Sequence, residues 1–450
     1  MTPDDQSLDD EAFTSLLARM GEGRKGHAAE TQPTLRSLRR RDAGFERHPL
    51  YQQMQFQRGF AGFAGLASPY YRLHDVRAGA TSVIEGRPVI NFASYDYLGL
   101  NGHPDIADAV NRAVEEYGSS VSASRITAGE RRVHRDLEMA LADVYGADDC
   151  IAFVSGHAAA VSTIATLLGQ KDLIVFDSLS HNCIVVGAQL AGCARRSYPH
   201  NDLNALEVML TKERRLYDRV LIVSEGLFSM DGDGPDLDRL IAIRDDFDAW
   251  LMIDDAHGLG VLGQTGRGIF EHAGVDPQKV DIWLGTLSKS LVSCGGYVAG
   301  CAALVDLLKH HAPGFVYSVG MPAVNAAAAV KAIEIMRAEP QRVAELQARS
   351  RRFAGQARAA GIDIGNSWGY GIIPIMVGET IPTVVLADRL LQRGVNAFPI
   401  VPPGVPEKSA RLRFFVNASH TDEQIDQSVE LLREELHRLG DQSLGSLLHG

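Results

Sequence analysis

From about residue 80 onward, short apolar runs alternate with stretches of helical spacing. CIAFVSG (150–156), LIVFDS (173–178), VLIVSEG (220–226), WLMIDDAHG (250–258) and DIWLGTLSK (281–289) read as strands. GGYVAG (295–300) reads as one more strand directly after the last. Helical patterns fill 156–169, 183–192, 202–212 and 235–247. Strands that are apolar along their whole length, separated by helices, predict a mostly parallel sheet covered on both faces. Past residue 320 the order changes. Helical patterns at 322–337 and 341–360 are followed by IIPIMVG, a helix at 381–393, VNAFPI, RLRFFVNA and a last helix at 421–438. That section predicts a smaller α+β domain. The expected division is an N-terminal extension (1–44), a short segment (45–90), a large domain (91–320) and a small C-terminal domain (321–450).

The first 44 residues carry no strand-like run. Ser7 and Asp10 resemble a capping box, Phe13, Leu16, Leu17 and Met20 share one helical face, and Gly21 can end the helix. A helix over 8–20 is expected, either packed on its own domain or docking a partner protein. Arg39, Arg40 and Arg41 read as a solvated charge run.

Composition narrows the function. The 450 residues are 45% hydrophobic and 22% charged, with a formal net charge of −12. A general nucleic-acid binder neutralises phosphates with clustered Lys and Arg, so nucleic acid is not an expected partner. The five cysteines, Cys150, Cys183, Cys193, Cys294 and Cys301, form no C-x-x-C pair. Neither a disulfide framework nor a metal site is expected, and the thiols read as reduced, in the cytoplasm. The acidic, polar N-terminus is no secretory signal. No apolar stretch reaches the length of a membrane span.

Two motifs mislead. Gly258, Gly260 and Gly263 spell G-x-G-x-x-G, but Gln264, Thr265, Gly266, Arg267 and Gly268 prolong a loop where a dinucleotide site needs a helix. Gly365, Ser367 and Gly369 spell G-x-S-x-G, yet a strand-like run follows where a nucleophile elbow needs a helix.

The informative residues close the apolar runs, at the sheet edge where open α/β proteins bind ligands. Lys289 ends a run; in a partly dry pocket its ammonium loses stability and a free amine can form a Schiff base. Asp254 ends another, where a carboxylate keeps a pyridoxal phosphate ring nitrogen protonated. His257 is placed to bond the phenolic oxygen of that cofactor. Ser155, Gly156 and His157 open a helix whose N–H groups suit a phosphate. His181 can lie on the ring face, and Ser229 and Thr286 add hydroxyls. Singly each has a plainer reading as surface, cap or loop. Their joint order on successive strands is what points to one site.

The ordered set SYDYLGL, FVSGHAA, DSLSHN, EGLFSMDGD, DDAHGLGVLGQTGRG, GTLSKS and ARLRFFVNASH resembles the α-oxoamine synthases. That family includes 8-amino-7-oxononanoate synthase and serine palmitoyltransferase. The resemblance spans roughly residues 80–440. It implies fold type I of the pyridoxal phosphate enzymes, with a mostly parallel seven-stranded sheet, and a homodimer with shared active sites. It implies that Lys289, His181 and Asp254 are catalytic, with Lys289 holding the cofactor aldehyde and His181 stacked on its ring. Gly156, His157 and Thr286 would surround the phosphate or its entry, with Ser229 on the oxygen side. Arg413 would hold the amino-acid carboxylate.

The implied reaction is a decarboxylative Claisen-like condensation of a small amino acid with an acyl thioester, giving an α-amino ketone. Tyr95 stands where many members have Asn and serine palmitoyltransferases have Tyr. Ser124 stands where glycine-specific members have Thr; the smaller side chain leaves space for a Cα substituent, worth roughly 1–3 kcal/mol. Serine or alanine is therefore favoured over glycine. Two positions depart from the family: Val292 replaces a usual Gly, and Val319 replaces a Thr that often reaches the partner's phosphate, leaving Ser318 and backbone to supply that bond. The acyl donor is either a coenzyme A thioester or an acyl carrier protein. Alternatives are the biotin-pathway 8-amino-7-oxononanoate synthase and a catalytically silent partner subunit.

Overall fold

The computed structural model describes residues 44–63 and 68–440. The helix expected at 8–20 and the run Arg39–Arg41 lie outside the described residues. The chain divides after Phe60 into two units. The first contributes a short turn, Phe45–Arg47, and most of helix α1 (Pro49–Phe63).

The second unit is built on a seven-stranded sheet. Its strands are β3 (Asp149–Phe153), β4 (Leu173–Asp177), β5 (Ala194–Tyr198), β6 (Val220–Glu225), β7 (Trp250–Asp254), β8 (Ile282–Thr286) and β9 (Gly296–Gly300). The spatial order is β3-β9-β8-β7-β6-β4-β5. β9 runs antiparallel to both its neighbours, and the β5-β4-β6-β7-β8 pairs are parallel. The fold is the α/β class and mostly parallel sheet that the apolar runs predict.

Why those runs are apolar throughout is visible in β6, whose six residues are all buried. Val220 and Ile222 enter one hydrophobic cluster and Leu221 and Val223 the other. Successive side chains point to opposite faces, and here neither face meets water. Helices α4 (Gly156–Leu167) and α5 (Asn182–Ala191) cover one face through Ala159, Ile164, Ile184 and Ala188. Helices α3 (Arg132–Tyr145), α6 (Leu203–Glu213) and α7 (Leu237–Asp246) contribute Leu137, Leu206 and Leu240 to the other cluster. Helix α2 (Pro104–Tyr117) precedes α3.

Two three-stranded sheets complete the unit. β1 (Thr81–Ile84) and β2 (Arg87–Asn91) form a hairpin, and β2 pairs in parallel with β11 (Val395–Asn396). β10 (Ile372–Gly378), β13 (Ala410–Phe415) and β12 (Phe398–Ile400) pair antiparallel. The helices here are α8 (Ala302–His311), α9 (Ala323–Ala338), α10 (Gln341–Ala359), α11 (Thr380–Gln392) and α12 (Asp422–Gly440). One core runs from the large sheet into this section: Leu390, Leu412, Phe414 and Leu432 belong to the same cluster as Val220. Among the described residues no helix is long and apolar enough to cross a membrane.

Candidate active site

The carboxyl ends of the parallel strands converge on a cavity of about 190 Å³. Eight residues singled out from the strand ends line it: Gly156, His157, His181, Ser229, Asp254, His257, Thr286 and Lys289. They come from five separate segments, so only the sheet register brings them together. Glu225 faces Asp254 across the β6–β7 pairing.

Each is held by local structure. His181 is the N-cap of α5, and its own N–H donates to Glu225 Oε1 at 2.7 Å. Asp254 ends β7 and accepts the Ala256 N–H at 3.1 Å. The Thr286 hydroxyl donates to the Gly295 carbonyl at 3.0 Å. His257 shares a 2.8 Å hydrogen bond between Nδ1 and the buried Tyr97 hydroxyl, and its ring stacks on Phe415. Lys289 ends the run after β8; the Val292 N–H donates to its carbonyl at 2.9 Å, closing a turn behind it.

The electrostatics follow from burial without a close ion pair. Desolvation pushes the Lys289 ammonium down to about 8, against the pull of Asp254 and Glu225. Lys289 retains some surface because it borders the cavity, but its amine is walled in by protein. Desolvation raises Asp254, and raises Glu225 to about 8 with help from the Asp254 charge. It lowers His181, and lowers His257 well below the usual imidazole range. These groups are all driven toward their neutral forms.

Arg413, on β13, lies beside the cavity. Its Nη1 donates to the Ser229 carbonyl at 3.2 Å and its Nη2 to the Tyr95 hydroxyl at 3.5 Å, and its guanidinium lies over Phe415. Its Nε is buried and without a partner. The Tyr95 ring lies 5.9 Å from Lys289 Nζ. The other three positions do not line the cavity in the single chain. Ser155 caps α4, its hydroxyl accepting from the Ala158 N–H at 3.0 Å. Ser124 starts the turn Arg125–Gly129 and bonds Thr127. The Ser318 hydroxyl donates to the Val319 carbonyl, with Ser318 half-buried and Val319 exposed.

Glu225, Cys183 and Tyr97 are site residues that the strand-end reading passed over. Glu225 closes the run VLIVSEG, so the rule that selects Asp254 also selects it. Tyr97 and Cys183 carried no such signal, because their contacts with His257 and His181 arise in the fold and in a helix cap.

The residues fit pyridoxal phosphate. Ser155 occupies the Ala158 N–H, which leaves the N–H groups of Gly156 and His157 at the start of α4 for an anion. A Cβ on Gly156 would come within 3.3 Å of Thr286 and fill that cradle. An acid, an amine and an imidazole at one cavity match a cofactor with a ring nitrogen, an aldehyde and a flat face.

The two misleading motifs have other uses. Gly258 lies against the Asp255 carboxylate, where a Cβ would collide. Ser367 is buried and donates to the Ile372 carbonyl at 2.9 Å. Val292 has φ +41°, a conformation that costs a β-branched residue energy.

Residues 87–432 match the family model for class I and II aminotransferases. The chain belongs to this family. Within it, the α-oxoamine synthase resemblance carried by the motifs holds against individual relatives. A putative 8-amino-7-oxononanoate synthase of Gloeobacter violaceus is 41% identical over 81% of this chain and 92% of its own length. The 8-amino-7-oxononanoate synthase of Methylococcus capsulatus is 38% identical over 78% and 90%. Among solved structures, Sphingomonas wittichii serine palmitoyltransferase superposes with a TM-score of 0.84 at 29% identity, covering 89% of this chain and 100% of that one. A serine palmitoyltransferase variant from S. paucimobilis with bound PLP–myriocin aldimine gives 0.84 at 26% identity, covering 88% and 100%. The fold type I architecture of this aminotransferase-family chain is thereby shared with them.

Proposed function

We propose that this protein is a pyridoxal phosphate-dependent acyltransferase that condenses a small L-amino acid with an acyl thioester. Carbon dioxide and the free thiol leave, and an α-amino ketone remains. The observation that carries the reading is the placing of Lys289 and Asp254 on one cavity at the strand ends. Bound there, the cofactor supplies an electron sink that acidifies the bond between Cα and hydrogen of an amino acid.

The chain's residues divide the remaining work. Asp254 would pair with the ring nitrogen and keep it protonated, a cation that would offset the burial of its carboxylate. The start of α4 would hold the phosphate, with Thr286 beside it. Lys289, its ammonium brought down to about 8, loses its proton far more readily than an ordinary lysine, and the free amine takes the Cα proton on Nζ. Arg413 presents a guanidinium with an unused Nε to the amino-acid carboxylate. His181 donates to the substrate carboxylate or thioester oxygen as negative charge grows there. Tyr95, beside Arg413 and Lys289, shapes the Cα side. Ser124 and Ser318, which do not line the single chain's cavity, would act in this reading at the partner's copy of the site in a homodimer. The large domain (91–320) carries the cofactor and the small domain (321–450) brings Arg413. The enzyme works in the cytoplasm.

Serine is the first choice of amino acid, from Tyr95 and Ser124. Alanine with a pimeloyl thioester is the second reading, favoured by relatives named 8-amino-7-oxononanoate synthase at 36–41% identity. A matrix of serine, alanine and glycine against acyl-coenzyme A and acyl carrier protein donors, read by mass spectrometry, tests both. One α-amino ketone product class is expected; no such product in any cell defeats the proposal. Borohydride reduction of the loaded protein is expected to leave a pyridoxyl adduct on Lys289, and its absence would favour a silent partner subunit.

A further inference from the structure

We infer that the first turn of α5 fixes the tautomer of His181, with Cys183 as positioning residue, so that Nε2 carries the ring proton toward the cavity. The inference rests on the proposed reaction for its purpose, but not for its geometry. The Cys183 backbone N–H, which can only donate, meets His181 Nδ1 at 3.3 Å. The Cys183 Sγ lies 2.9 Å from the same nitrogen. Burial pushes that thiol up, so it keeps its proton and donates it. Two donors converging on Nδ1 require its lone pair, and a neutral imidazole has a single N–H. The proton therefore sits on Nε2, the nitrogen left for the cavity.

The residue is also held from its other side. The His181 N–H donates to Glu225 Oε1 at 2.7 Å. The charged groups facing the ring are Asp254, which favours its protonation, and Lys289 and His157, which oppose it. A second ring proton would turn Nδ1–H against the Cys183 N–H. The helix cap thus makes His181 a donor whose lone pair is already used, suited to stabilising oxygen charge rather than to removing a proton.

The test reads the ring directly. ¹⁵N-histidine NMR of the pyridoxal phosphate-loaded protein, with His181→Asn identifying the resonance, is expected to report Nε2 protonated and Nδ1 bare at neutral pH. Cys183→Ser keeps a side-chain donor and is expected to keep this signature; Cys183→Ala leaves only the backbone N–H on Nδ1 and is expected to show a measurable Nδ1-protonated fraction and about a tenfold lower kcat, the loss of one hydrogen bond, with KM within about twofold. A wild-type ring protonated on Nδ1 overturns the inference without any variant. So does a Cys183→Ala protein that matches wild type in both ring signature and rate. A protein with the expected ring signature but no condensation product defeats the proposed reaction while supporting the tautomer assignment.

Discussion

One sheet carries two clusters of charge with opposite fates. At β3, Arg125 holds Glu130 through Nε and Nη2, both at 2.7 Å, and Glu138 through Nη1 at 2.6 Å. Glu138 also accepts the Ala152 N–H at 3.0 Å. Lys309 and Arg135 close on Asp149. Burial works to raise Glu130 and Asp149, but their arginine partners win and hold both below the usual carboxylate range. In the cavity, Lys289, Asp254 and Glu225 feel one another across space, desolvation wins, and each shifts toward neutrality. Bidentate pairing makes a charge structural; burial without it makes a group reactive.

Exchange experiments can break this contrast. The largest effect is expected from Lys289→Ala, which lowers turnover at least about 10³-fold while the urea midpoint moves little. A midpoint collapse as severe as that of an Arg125 variant would mean that the cavity cation is structural after all. Arg125→Met is the mirror image. It leaves the buried Glu138 only the longer contacts to Arg135 and Lys309, at 3.7 and 3.8 Å, and is expected to cost about 3 kcal/mol of stability, read by urea unfolding. Retention of wild-type stability would show that the β3 pairing contributes nothing.

His200 sharpens the comparison because both its ring nitrogens are paired with carboxylates. Its Nδ1 bonds Asp177 and its Nε2 bonds Asp233, both at 3.0 Å. Burial acts to lower it, but the two carboxylates prevail and raise it from 6.5 to about 10. A raised folded-state value stabilises fully below the unfolded value of 6.5 and loses that stabilisation as pH climbs through 10. Wild-type urea midpoints are therefore expected to fall between pH 6.5 and 10 more steeply than those of His200→Gln. Parallel profiles would remove His200 from the charged class.

The smallest effect concerns the turn behind Lys289. Val292→Gly relieves the left-handed strain at some cost in chain entropy, and is expected to raise stability by about 0.5–1 kcal/mol in thermal unfolding. A lower melting temperature would mean that valine packing outweighs the strain.

The large-sheet strands were legible because burial on both faces forces continuous apolar runs, as in β6 and β7. β5, ARRSY, was not, because an edge strand with exposed positions needs no such run. The hairpin β1–β2 and helices α2 and α3 also went unread. β2 is completed only by β11, some three hundred residues later. Sequence by itself determined which groups can do chemistry: an amine, an acid and imidazoles each stand at the end of an apolar run, which locates them at one sheet edge. It could not decide their ionisation or their partners. Those depend on desolvation and on contacts between distant segments, such as Tyr97 with His257 and Arg413 with Ser229. Only the tertiary structure sets these, because the cost of burying a charge depends on what the rest of the chain brings beside it.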